Sequence, residues 1–242
     1  MIVYWKEKMR VGVFDSGVGG LTVLSKLVSK YPKNDYIYFG DTINIPYGEK
    51  NINVLFNLSS KIIEYLISKK VELIVIACGT VSSNCYEKLK STYNIPIIDI
   101  ISPTINYIKE NNYKSIGVFA TSRTINSHIF KKLLPNVLVE ELACPSFVDL
   151  IESGNIEKID TSDYVSKIKS DTIILGCTHY PLIKDKINKK TIDMADNIKL
   201  DKNEGNSSIE LYFSKLDNKV LNNIKLFNFK DNIIIKEKNL SN

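Results

Sequence analysis

Glu72-Leu73-Ile74-Val75-Ile76-Ala77-Cys78-Gly79-Thr80 returns 99 residues later as Asp171-Thr172-Ile173-Ile174-Leu175-Gly176-Cys177-Thr178-His179. Each stretch is a short apolar run ending in a thiol and then small polar residues. Such a run, rich in β-branched side chains, reads as a strand buried on both faces, the mark of a parallel sheet. The carboxyl ends of parallel strands deliver side chains into a crevice. Two thiols at matching strand ends therefore suggest one site with a sulfur on either side of a single substrate.

Further echoes extend the match. Gly12-Val13-Phe14 returns as Gly117-Val118-Phe119, Tyr36 to Asp41 resembles Val137 to Leu142, and Ile97-Ile98-Asp99 is answered by Thr191-Ile192-Asp193. Their shared order marks an internal repeat with a period of about 100 residues, well above the roughly 20–50 of solenoid arrays. Strands are predicted at 10–14, 36–39, 73–77 and 95–98, then at 115–119, 137–142, 172–175 and 191–193. Helices are predicted at 19–30, 51–69, from Cys78 to about Lys90, and at 103–112, 124–134, 145–153, 161–169 and 181–189. Beyond them come a polar loop at 201–208, a strand at 209–213, a helix at 220–227 and an edge-strand candidate at 232–238. This alternation predicts an α/β fold of two similar doubly wound domains with mainly parallel sheets, related by pseudo-twofold symmetry, with the active site between them. Residues 1–100 plus 209–242 would form the first domain, carrying Asp15 and Cys78, and 101–208 the second, carrying Cys177.

Composition narrows the class. With 44% hydrophobic and 24% charged residues, the chain has material for a core without disulfides or metals. The net charge of +5 comes from Lys and Arg scattered among Asp and Glu. That favours a solvated surface over nucleic-acid binding, while still helping to attract an anionic substrate. No apolar run reaches the roughly 18 residues of a membrane span, so no membrane partner is expected. Lys6, Lys8 and Arg10 lack an accompanying apolar segment of the signal-peptide kind. Met9 directly precedes the first strand, so residues 1–8 read as an extension of no structural weight. A cytoplasmic location is the expectation, and there Cys78, Cys85, Cys144 and Cys177 are thiols. None forms a CxxC pair and the chain has two histidines, so no metal site is expected.

The chemistry concentrates at predicted strand ends. Phe14-Asp15-Ser16-Gly17-Val18-Gly19-Gly20 is a strand, a glycine-rich turn and a helix start, a setting suited to a phosphate or a carboxylate. Gly40-Asp41 with Pro46-Tyr47-Gly48 ends the second strand at the same edge. A thiol of pKa near 8.5 is only about 3% thiolate at neutral pH, and a following helix lowers that pKa. Cys78 and Cys177 each precede a predicted helix, and Cys177 has His179 as a proton partner two residues on. Cys85 and Cys144 lack such company and read as structural. Two opposed thiols suit inversion at a stereocentre: one thiolate removes a proton from one face while the other thiol supplies one to the opposite face. Ser16, Thr80, Thr121, Thr124 and Thr178 offer hydroxyls to hold the substrate and stabilise a carbanionic transition state.

At these residues the chain resembles the glutamate racemases. The resemblance rests on Asp15-Ser16-Gly17-Val18-Gly19-Gly20-Leu21-Thr22-Val23, Pro46-Tyr47-Gly48, Ala77-Cys78, the segment from Cys144-Pro145 through Phe147-Val148 to Glu152, and Gly176-Cys177-Thr178-His179-Tyr180-Pro181. It implies cofactor-independent interconversion of L- and D-glutamate for peptidoglycan synthesis, by an enzyme that is usually a homodimer. It implies that Cys78 deprotonates the D-isomer and Cys177 the L-isomer, with Asp15 assisting Cys78, and Glu152 and His179 assisting Cys177. Substrate contacts are implied for Asp15, Ser16, Pro46, Tyr47, Gly48, Gly79, Thr80, Thr121, Thr124, Thr178 and His179.

One position departs from the family pattern. Asn-Thr is the implied continuation after the first cysteine, and here it is Gly79-Thr80. Loss of that donor would cost about 1.5–3 kcal/mol of substrate binding unless water or Asn84 replaces it. The tail after Ala195 also looks short for the family. The competing functions are a racemase of aspartate or a related amino acid, a catalytically weak binding or regulatory homologue, and a cysteine hydrolase. The hydrolase leaves the second cysteine unexplained.

Overall fold

The structure, a computed structural model, describes residues 8–201, 205–227, 229 and 233–240. Most of the expected extension, residues 1–7, lies outside the described residues, as does part of the loop expected at 201–208. The first half runs β1 (Arg10–Asp15), α1 (Leu21–Lys30), β2 (Asp35–Gly40), α2 (Ile52–Ser68), β3 (Leu73–Ile76), α3 (Gly79–Thr92), β4 (Ile97–Asp99) and α4 (Ile101–Glu110). The second half follows with β5 (Ser115–Ala120), α5 (Ser122–Ser127), α6 (Ile129–Leu133), β6 (Leu138–Ala143), α7 (Pro145–Glu152), α8 (Ser162–Ser166), β7 (Thr172–Leu175) and β8 (Lys190–Asp193). The chain then returns to the first sheet with β9 (Ile209–Phe213), α9 (Asn218–Ile224) and β10 (Ile233–Glu237).

Two parallel sheets result. One has the order β10-β9-β2-β1-β3-β4 and the other β6-β5-β7-β8. The second sheet thus repeats the order of β2-β1-β3-β4. Its register agrees as well: Gly12 lies opposite Ile74 as Gly117 lies opposite Ile173. The candidate at the chain's end is a parallel edge strand, with Ile233 beside Ile209.

Alternation along the strands divides the first half into two layers. Phe14, Ile37, Ile74 and Ile76 join Leu55, Ile62, Ile63 and Leu66 of α2 in one cluster. Those α2 positions fall on one helical stripe, and the helix begins where the Asn51 side chain accepts from Asn53 N at 2.8 Å. Val11, Val13, Leu73 and Val75 point the other way, into a cluster that also holds Val118 and Ile174 of the second sheet. The two halves therefore share a core through α1 and α4.

Three helices are shorter or tighter than the sequence pattern predicts. The helix expected at 124–134 is split at His128, which takes φ 52° between α5 and α6. Only 162–166 of the expected 161–169 is helical. The segment expected at 181–189 is a 3-10 run, Tyr180–Lys186. With three residues per turn, Tyr180 and Ile183 stack in line on one buried face.

Candidate active site

The carboxyl ends of both sheets meet at a cavity of about 170 Å³. From the first half it is lined by Ser16 after β1, Pro46, Tyr47 and Gly48 after β2, and Cys78, Gly79 and Thr80 after β3. The second half supplies Thr121 after β5 and Gly176, Cys177, Thr178 and His179 after β7. Cys78 and Cys177 are thus on the walls of one cavity, 4% and 7% exposed, and both are free thiols.

Three of the expected site residues do not line it. Asp15 is fully buried, its Oδ2 accepting from Gly20 N at 2.6 Å and from the Thr178 hydroxyl at 3.1 Å. The glycine-rich turn and the start of α1 therefore receive an anion that belongs to the chain itself: the Asp15 carboxylate. Of that turn, Ser16 alone faces the cavity. Thr124 lies behind Thr121, at 3.1 Å between hydroxyls, and Thr121 in turn meets Thr80 at 3.0 Å. Glu152 reaches the site through His179, whose Nε2 is 2.7 Å from Glu152 Oε1. The other ring nitrogen, Nδ1, is 3.5 Å from Cys177 Sγ.

The two thiols have different surroundings. Burial pushes the Cys78 thiol well above its usual range, and the Asp15 carboxylate pushes it further. Backbone N–H groups at the start of α3 pull the other way and are outweighed, which corrects the expectation that the helix start lowers this thiol. The reason is dielectric: a fully buried sulfur loses more hydration than one helix terminus returns. Asp15 is itself raised by burial, although His179 and its N–H donors counter part of the effect. Its Oδ1 is buried and accepts no hydrogen bond among the described residues. On the other wall burial acts to lower His179, but its bonds to Cys177 and Glu152 outweigh that and hold it well above its usual value. Glu152, raised by burial and lowered more by His179, sits below its usual range. The two ring nitrogens face sulfur on one side and carboxylate on the other, an arrangement in which a protonated ring can donate to both. The 3-10 run that follows Cys177 begins three residues on, at Tyr180, and the hydrogen-bond partner of the sulfur is this histidine.

Tyr47 is held by its hydroxyl, which donates to Asp41 Oδ2 at 2.7 Å. Asn84, the expected replacement donor at the Gly79 position, does not line the cavity; its amide donates to Thr80 O at 2.9 Å and Ser83 Oγ at 2.8 Å. The cavity also includes Glu49, Ser122, Asp149 and Val148, which the sequence reading did not select. Val148 lay within a quoted motif. Glu49 and Asp149 carried no signal, since exposed acids on a turn and a helix look like any solvated surface.

The comparisons with known proteins fit this geometry. Residues 57–199, more than half of the chain, match the model of the Asp/Glu/Hydantoin racemase family. The chain belongs to that family. A glutamate racemase of Aquifex pyrophilus is 38% identical over 242 residues, covering 92% of this chain and 95% of the relative. Another from Hydrogenobaculum sp. (strain Y04AAS1) is 37% identical, covering 86% and 88%. The crystal structure of glutamate racemase from Francisella tularensis subsp. tularensis SCHU S4 in complex with D-glutamate superposes with a TM-score of 0.83 at 30% identity, over 98% of this chain and 99% of that one. The chain is thereby an amino-acid racemase, an isomerase. Among the described residues no helix is long and apolar enough to cross a membrane.

Proposed function

We propose that this protein interconverts L- and D-glutamate by passing the α-proton between Cys78 and Cys177. The observation that carries the reading is two free thiols, one from each repeat, on the walls of a single cavity small enough for an amino acid. Relatives that cover most of the chain support glutamate as the substrate.

In the D-to-L direction Cys78 must first lose its proton. Asp15, buried beside it with its own pKa raised by desolvation, is the base that takes that proton. The Cys78 thiolate then removes the α-proton, so the C–H bond breaks as an S–H bond forms, and the Cys177 thiol protonates the opposite face. His179, cationic between Glu152 and the sulfur, returns a proton to Cys177. The reverse direction exchanges the roles. Ser16, Thr80, Thr121 and Thr178, with backbone of the Pro46-Tyr47-Gly48 turn, hold the carboxylates. Asp15, Glu152 and Thr124 act through Cys78, His179 and Thr121 respectively, and no cofactor takes part. The family resemblance further supports a cytoplasmic homodimer whose D-glutamate supplies peptidoglycan synthesis.

Incubation with each glutamate isomer in deuterium oxide tests the reaction. Optical rotation is expected to decay to zero, with early deuterium at Cα of the inverted isomer only. Cys78→Ala and Cys177→Ala should each abolish turnover, and retained racemisation in either variant would sink the assignment. Aspartate, the other amino acid in the family's description, is run alongside; faster turnover of aspartate would transfer the proposal to that substrate.

A further inference from the structure

Gly79 and Gly176 are the chain neighbours of the two thiols, Gly79 following Cys78 and Gly176 preceding Cys177. Both line the cavity, and no room for a side chain is left between their backbones. A Cβ built on Gly79 would lie 2.5 Å from Gly176 O. Gly176 cannot give way easily. Its N–H donates to Phe119 O at 2.7 Å, and a Cβ of its own would lie 2.8 Å from Phe119 O and 2.9 Å from Ala120 Cβ. On the other side, Cys78 begins α3, with Ser82 N donating to Cys78 O at 2.9 Å. Each thiol is thus one residue from a backbone stop: Gly79 is the first residue of α3, and Gly176 directly follows β7.

We propose that the Gly79–Gly176 contact sets the spacing of the two thiols, making both glycines positioning residues for two-sided proton transfer. The inference rests on the two-thiol reading above. Two sulfurs must reach opposite faces of the same carbon, at near-attack distances of about 3–3.5 Å. A side chain at position 79 must move from 2.5 Å to ordinary contact at 3.4 Å or more, so one wall shifts by roughly 1 Å. A misplacement of that size costs about 100-fold in rate. The glycine at position 79 is then more than an absent donor. Its missing side chain is what allows the two walls to close to this distance.

A donor role and a spacing role predict opposite results for Gly79→Asn. If the position lacks only a substrate donor, Asn lowers KM and raises kcat/KM. If it sets the spacing, Gly79→Asn and Gly79→Ala both lose about 100-fold in kcat in both directions, with much smaller changes in KM. The second readout is internal to the active molecules, and so independent of how much variant folds. In deuterium oxide a widened cavity still lets one thiolate remove the α-proton, exchange it with solvent and return deuterium to the same face. The ratio of label in recovered substrate to label in inverted product should therefore rise at least tenfold in Gly79→Ala. An unchanged ratio, or kcat at the wild-type level in either variant, overturns the spacing role alone. A wild-type protein that interconverts neither isomer overturns the reaction and the spacing role together.

Discussion

Glu152 and His179 form the residue pair with the clearest pH signature. The Glu152 carboxylate sits below its ordinary 4.5 and the His179 ring well above its ordinary 6.5. A depressed carboxylate contributes stability above 4.5 that is lost as pH falls through its lowered value. A raised histidine contributes stability fully present below 6.5 that is lost as pH rises through its raised value. The pair therefore contributes most between pH 4.5 and 6.5. Glu152→Gln leaves a buried ring without its counter-charge and is expected to cost about 3 kcal/mol in that window. Urea unfolding across the window and again in alkali measures it, and the gap to wild type should narrow in alkali. The same variant should shift the alkaline limb of the D-to-L rate profile to lower pH, because His179 then loses its proton sooner. An unshifted limb would mean that His179 does not hold the proton used at Cys177.

At the scale of elements, the space beside a glycine and its backbone angle decide what the position tolerates. A Cβ on Gly117 in β5 would lie 2.6 Å from Ile168 Cγ2, a buried branched side chain. Gly117→Ala is expected to cost about 1–3 kcal/mol through overpacking, read as a lower urea midpoint. Gly154, after α7, makes a useful contrast: it has φ +74° with nothing near its Cβ position. Gly154→Ala should lose only the left-handed backbone penalty, about 1–2 kcal/mol, with no change in kcat. The tight turn after Cys177 follows similar logic. Tyr180 donates its hydroxyl to Cys144 O at 2.7 Å and stacks edge-on to Phe147, anchoring the 3-10 run against α7. That anchoring brings His179 and Glu152 together, although 27 residues separate them.

At the scale of the molecule, α1 ties the halves together. Thr22 donates to Thr178 O at 2.9 Å, Tyr31 to Ile198 O at 3.0 Å, and Lys26 lies 2.6 Å from Asp193 and 2.7 Å from Asp196. Lys26 is partly solvated, so its pairs are modest. Lys26→Met is expected to lower stability by about 1 kcal/mol or less. Thermal unfolding at low salt and at about 1 M salt checks this, and the difference from wild type should largely vanish when screened. A difference that persists at high salt would mean that lost packing of the Lys26 stem, and not charge, carries the effect.

The sequence by itself determined the repeat, the parallel strands and the two strand ends that carry the cysteines. Each depends on local apolar periodicity, and a buried parallel strand imposes its pattern on its own residues. Even the matched registers of Gly12 and Gly117 follow from that duplication. Tertiary structure alone decided which side chains meet. Asp15 looked like a group for the substrate, yet the turn beside it and Thr178 from the other half enclose it. Cys78 looked activated by its helix, yet burial beside Asp15 raises it. Gly79 looked like a lost donor, yet its backbone rests against Gly176. In each case the deciding partner is distant in the chain. Desolvation and steric contact depend on what surrounds an atom in space, and that is settled only when the two halves close on one another.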